Sequence, residues 1–257
     1  MWCVIAILLP VFIFVPSFCK GGETAAWTII SAFLALPSES DLLLSVEWTL
    51  RHEVLFYSIV GLVIWKPRIG AVFAFIWVMS SAIGSAFTLA YPWSFFFSSY
   101  HLLFAFGAAA ATAFSRGFNK LPITMFVSGV ALFAATWTVL CLRIPLQSSV
   151  VTHWIYGLGA TLVILGAANL ERSRTLHVPR AVVFLGEASY SIYLVHLPVI
   201  SAASKLVKKL DGKAPDALLF VATAVIALDA GIIFHIAIEK PLVGLMQGLP
   251  APQVSSG

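Results

Sequence analysis

Eight stretches of this chain, roughly 2–18, 47–65, 69–90, 99–115, 121–141, 150–169, 184–206 and 216–238, are apolar for close to the ~20 residues that a helix needs to cross bilayer hydrocarbon. In lipid no water satisfies backbone N–H and C=O groups, and a helix closes its hydrogen bonds within each segment. The 257 residues are 60% hydrophobic and 10% charged, with mean hydropathy +0.99, against about 25% charged in a soluble domain. The expected fold is therefore all-α, a polytopic integral membrane bundle of about eight transmembrane helices. It occupies one domain over residues 1–245, and residues 246–257 are expected to form a disordered cytoplasmic tail.

The remaining composition narrows the function classes. A formal charge of +4 without a basic run interleaved with aromatics argues against nucleic acid as a partner. Cys3, Cys19 and Cys141 have neither metal-ligand spacing nor an even count, so neither a metal site nor a disulfide framework is expected. The first apolar segment lacks a basic residue before it and a small-residue cleavage site after it, which makes it a spanning helix rather than a signal peptide. The connection from Cys19 to Val46 has an apolar middle, Trp27 to Leu36, suited to the membrane interface. With the N-terminus inside, eight of the 15 Lys and Arg residues fall on the inner side and six on the outer, with Arg51 at an edge. That balance expects both termini in the cytoplasm.

The most informative cluster of ionisable side chains lies in thirteen residues, Ser45 to Tyr57. Arg51, His52 and Glu53 stand side by side at the mouth of an apolar run that ends at Trp65. Residues three and four apart share a helix face, so Trp48, His52 and Phe56 line one stripe, while Glu53 and Tyr57 line another. The Tyr57 hydroxyl is within reach of the Glu53 carboxylate on such a helix, as is a cation from a neighbouring helix. Adjacent helical residues point about 100° apart, so Glu53 is poorly placed to orient His52. Two readings stand. Arg51 and His52 are interfacial anchors and Glu53 a structural ion-pair partner, or the three belong to a polar site open to the extracytoplasmic side.

Further polar residues carry weaker signals. Ser189, Tyr193 and His196 fall on one face of the helix that holds Pro198 and form a polar seam or a substrate contact. His235 and Glu239 are spaced to pair where the last helix ends before Pro241. Asp229 lies mid-helix and must face protein or water. His101 and His153 stand at segment starts, where interface anchoring is the default, and Asn169 is expected to bond locally.

The stretch Trp48-Thr49-Leu50, then Glu53, then Phe56-Tyr57 resembles the W-[ST]-L-x-x-E-x-x-F-Y signature of the acyltransferase 3 family. Leu185 to His196 is similar to its L-G-x-x-S-Y-x-[IL]-Y-L-x-H segment, and Glu239-Lys240-Pro241 to its terminal E-[RK]-P. The three motifs occur in family order between Trp48 and Pro241. The resemblance implies a membrane O-acyltransferase of the exopolysaccharide branch. It would move an acyl group, acetyl above all, from acetyl-CoA to a sugar hydroxyl, without a metal. It implies catalytic roles for Glu53, His52 and Arg51 and acceptor contacts from Trp48, Tyr57, Ser189, Tyr193 and His196. The cations Arg172, Arg174 and Arg180, with His177, either meet the coenzyme A phosphates or express positive-inside bias.

The family pattern begins with two more helices, one carrying an arginine and a histidine thought to be the general base. Neither precedes Met1, so an N-terminally shortened form is expected, with His52 as the substitute base. The alternative function is a catalytically inactive homologue, or a glycan-transport or partner protein. The partners implied are membrane lipids, a glycan acceptor and acyl-CoA, with a second copy or the missing helices completing the bundle.

Overall fold

The computed structural model describes residues 2–15, 25–39, 42–142, 149–174, 177–207 and 215–247. Of these, 83% are helical and none lies in a strand. The helices are α1 (Trp2–Phe14), α2 (Ala26–Leu34), α3 (Glu47–Trp65), α4 (Pro67–Gly84), α5 (Trp93–Phe96), α6 (Tyr100–Ser115), α7 (Pro122–Cys141), α8 (Ser149–Arg172), α9 (Arg180–Val207) and α10 (Asp216–Phe234). A π-helical turn, His235–Glu239, then leads into α11 (Lys240–Gln247). Several charged residues of the orientation balance, Lys20, Arg143, Lys208, Lys209 and Lys213, lie outside the described residues, as do Cys19 and tail residues 248–257. Residues 246 and 247, expected in the tail, end α11 instead.

Among the described residues, six helical segments are long and apolar enough to cross a membrane, which makes this an integral membrane protein. The all-α polytopic bundle is as expected, and the two further expected segments, α1 and α3, are helices that fall short of that measure. Helix α1 has 13 residues and rises only about 20 Å. Helix α3 has 19 residues but carries Glu47, Arg51 and Glu53 near its start. The segment expected at 99–115 is longer than it looked, because α5 joins α6 in a span from Trp93 to Ser115.

The chain divides into two compact units, Met1–Trp48 with Pro179–Gly257, and Thr49–Val178. In the first, α9 packs on α10. Helix α9 runs unbroken through Pro198 and turns Ala188, Ser191 and Leu194 inward. Gly231 lets the pair approach: a Cβ there would lie 2.5 Å from the Ile192 Cα. Helix α2 is inverted relative to a soluble helix. It buries Thr28, Ser31 and Ala32 and exposes Trp27, Ile30 and Leu34, the orientation that lipid favours. Asp229 is exposed on α10 rather than packed against another helix of the described chain.

In the second unit, α7 packs along α8 and α6 flanks α8. Pro122 starts α7 at a position where the missing N–H has no helical partner to lose. Gly129 and Gly166 bring α7 and α8 into backbone contact; a Cβ on Gly166 would lie 2.6 Å from the Phe126 nitrogen. Small residues at such crossings supply the close packing that replaces the hydrophobic drive in lipid.

Gly231→Val is expected to destabilise the protein by about 1–3 kcal/mol, because the added methyls meet backbone that cannot swing aside. Gly61→Val, where a Cβ meets nothing within 4 Å, should stay within about 0.5 kcal/mol. Denaturation of the purified protein by dodecyl sulfate separates the two. Equal midpoints would remove the close-approach argument.

Candidate functional site

The second unit holds a buried polar chain through three helices. Helix α3 supplies His52, α4 supplies Ser81 and α6 supplies His101. The His52 Nδ1 lies 3.0 Å from the His101 Nε2, and the His101 Nδ1 lies 3.2 Å from the Ser81 Oγ. Ser81 and His101 are fully buried and His52 is nearly so. Aromatic rings fix the imidazoles from the sides. Phe95 stacks on His52 at 4.4 Å and 18°, and Trp77 lies 4.3 Å from His101. Trp77 is held in turn by donating its indole N–H to the Phe96 carbonyl at 2.9 Å.

Sequence and packing together explain the arrangement. Trp77 and Ser81 are i, i+4 on α4 and so share its inward face. The short helix α5 delivers Phe95 and Phe96 just before α6 begins. His101 follows Tyr100 into the first turn of α6, which brings its ring between Ser81 and His52.

The bonding admits two proton arrangements, since each neutral imidazole carries one donor and one acceptor nitrogen. In one, Ser81 donates to His101, which donates to His52. In the other, His52 donates from Nδ1 to His101, which donates from Nδ1 to Ser81, and the His52 Nε2 is left unprotonated. At least one ring is neutral in either case, because one nitrogen of the His52–His101 bond must accept.

A second imidazole extends the polar region. The His153 Nδ1 lies 3.1 Å from the Ser99 Oγ. Its ring is 4.8 Å from Tyr100, and Tyr100 lies 5.7 Å from His52. The expectation that His101 anchors at an interface is thus corrected for His101, which is enclosed, and His153 is also engaged in hydrogen bonding.

The remaining expected residues divide between the two units. On α3, Arg51 is buried and Glu53 is half-buried. Tyr57 is 62% exposed, and among the described residues no hydrogen bond joins it to Glu53. Its ring instead lies 5.8 Å from Phe56. Trp48 is 39% exposed. Arg172 ends α8 and Arg174 lies in the turn after it; the Arg172 Nη1 donates to the Phe114 carbonyl at 3.3 Å. Asn169 bonds locally, donating to the Leu165 carbonyl at 2.8 Å. Arg180 opens α9 in the first unit.

In that unit Ser189 is exposed, while Tyr193 donates to the Val46 carbonyl at 3.3 Å. The His196 Nδ1 donates to the Tyr193 carbonyl at 2.7 Å, so a backbone oxygen of its own helix holds this imidazole. His235 donates to the Glu239 Oε2 at 2.7 Å, as the spacing implied. The same oxygen accepts the hydroxyl of Ser191, a partner that the sequence reading missed. The π-helical turn carries both His235 and Glu239, and one-turn π segments are frequent where side chains must be re-aimed.

Among the described residues no group of three or more His, Cys, Asp or Glu side chains is placed to hold a metal ion. No family model, no curated protein and no solved structure matches the chain.

Proposed function

We propose that this chain is a membrane O-acyltransferase that moves an acyl group, acetyl above all, from acetyl-CoA to a hydroxyl of a cell-surface or exopolysaccharide sugar. The observation that carries the reading is His52. It lies inside the Trp48–Tyr57 motif that resembles the acyltransferase 3 signature, and it is bonded to His101 rather than left as an interfacial anchor.

In this reading His52 takes the proton of the acceptor hydroxyl as that oxygen attacks the thioester carbonyl. The tetrahedral oxyanion needs a donor or a cation, and Arg51, buried one residue earlier on α3, is assigned that part. Collapse of the intermediate forms the sugar ester, breaks the C–S bond and returns the proton to the leaving thiolate. Glu53 holds the acceptor hydroxyl, with Tyr57 and Trp48 as flanking surface. An outward-facing acceptor side and cytoplasmic termini belong to the same proposal, as does a bacterial plasma membrane.

Base-released acetate from purified envelope polysaccharide is the assay, in cells whose only source of this activity is the chain. Glu53→Gln is expected to lower acetate by at least about tenfold, equivalent to one hydrogen bond lost from the transition state, at unchanged protein level. Undiminished acetate in that variant, or none from the unaltered chain, would remove the reading.

A further inference from the structure

In the second unit α6 and α8 leave between them a cavity of about 440 Å³, within the range of small-molecule sites. Gly107, Ala111 and Phe114 line it from α6, and Gly157, Ala160 and Ala168 from α8. His153 marks one end and Phe114 with Ala168 the other. Between His153 and Ala168 α8 rises about 22 Å, most of the ~30 Å of bilayer hydrocarbon. The walls offer almost no polar surface. An amide or sugar placed there would lose water and gain no partner, whereas an alkyl chain loses nothing. The pantetheine arm of coenzyme A, with two amides, is therefore a poor occupant.

The Phe114 end has a distinct charge. Arg172 donates to the Phe114 carbonyl, and its guanidinium lies 5.2 Å over the Phe114 ring. The contact of Gly166 with Phe126 and Pro122 brings the start of α7 to the same end. Arg116 follows α6, Lys120 precedes α7, Arg172 ends α8 and Arg174 follows it, all four exposed, with Glu171 as the acid among them. A long apolar slot that ends in a cluster of cations is complementary to an amphiphile with one buried chain and a negative head.

We infer that the α6–α8 cavity is a binding site for one acyl chain of an anionic phospholipid, whose phosphate is met by Arg116, Lys120, Arg172 and Arg174. The site is separate from the acyl-transfer proposal and stands or falls without it.

Native mass spectrometry of the purified full chain, titrated with phosphatidylglycerol or phosphatidylcholine of identical chains, tests the assignment. One phosphatidylglycerol should be retained more tightly than phosphatidylcholine, by roughly fivefold for each cation engaged. Arg116→Gln with Arg172→Gln should cut that preference by roughly 25-fold, and replacing Lys120 and Arg174 with glutamine as well should bring the two lipids to parity. Gly107→Leu, whose Cβ meets nothing within 4 Å, should fill the slot and abolish retention of both. Gly61→Leu, equally uncrowded on α3 and away from the cavity, should retain phosphatidylglycerol as the unaltered chain does. Equal retention of the two lipids by the unaltered chain would overturn the inference, as would undiminished binding in Gly107→Leu. Displacement of phosphatidylglycerol by a tenfold lower concentration of palmitoyl-CoA would also overturn it and give the cavity to the acyl donor.

Discussion

His101→Leu is expected to lower acyl transfer by at least about 100-fold, the lower end of what a positioned general base contributes, although its ring is assigned no contact with substrate. The argument runs through tautomers. His52 accepts a proton at Nε2 only while its Nδ1 carries the hydrogen, and the partner that accepts that hydrogen is the His101 Nε2 at 3.0 Å. Leucine fills similar space and leaves Phe95 stacked on His52, but it releases the proton to either nitrogen. The loss should appear in kcat with KM unchanged, as for an interaction made only in the transition state. His101→Gln offers an amide oxygen to the His52 Nδ1 and should recover part of the rate, which a merely space-filling role would not allow. Ser81→Ala, one bond further out at 3.2 Å, should reduce the rate less than His101→Leu does. A rate loss in His101→Leu no larger than its loss of folded protein, with no recovery in His101→Gln, would end the positioning role.

What could be read from the sequence and what could not follow from the same physics. Helix α3 was legible to the residue, because Lys66 and Pro67 stop an apolar run that begins at Glu47. The pairing of His235 with Glu239 was legible from an i, i+4 spacing. The inward faces were not, because hydrophobicity does not distinguish lipid from protein interior. In α9 the motif pointed to Ser189, yet the buried side is Ala188, Ser191 and Leu194, and residues 189 and 191 stand about 200° apart around the helix. Small size is the informative mark inside a membrane, and Ser191 with Ala188 three residues earlier carried it. His101 was harder. An imidazole in the first turn of an apolar helix resembles an anchor, and only the Trp77–Ser81 spacing on α4 hinted at a polar pocket to receive it. Tyr57 shows the converse error. It shares a stripe with Glu53, but Glu53 is half-buried while Tyr57 is mostly exposed, and no bond forms between them among the described residues.

Glu239→Leu should destabilise the protein by about 2 kcal/mol, and the size follows from what each donor does next. The Oε2 of Glu239 accepts from both the Ser191 hydroxyl and the His235 Nδ1, so leucine strips two buried donors at once. Orphaned donors cost about 1–3 kcal/mol each, but contacts between membrane helices average nearer 0.6 kcal/mol because alternatives are found. Ser191 has such an alternative in the carbonyl four residues back on α9. His235 has less freedom, since the π-helical turn fixes its ring against Phe184 at 5.9 Å, so most of the loss belongs to it. Glu239→Gln separates charge from acceptance: its amide oxygen keeps two lone pairs for the same two donors, and the cost should fall below half that of leucine. A double-mutant cycle of His235→Ala with Glu239→Leu should show greater coupling than Ser191→Ala with Glu239→Leu. Dodecyl sulfate unfolding of the purified variants measures all of these. If leucine and glutamine proved equally harmful, charge rather than shared acceptance would hold α9 to the π-helical turn, and the assignment of Oε2 as the common acceptor would be lost.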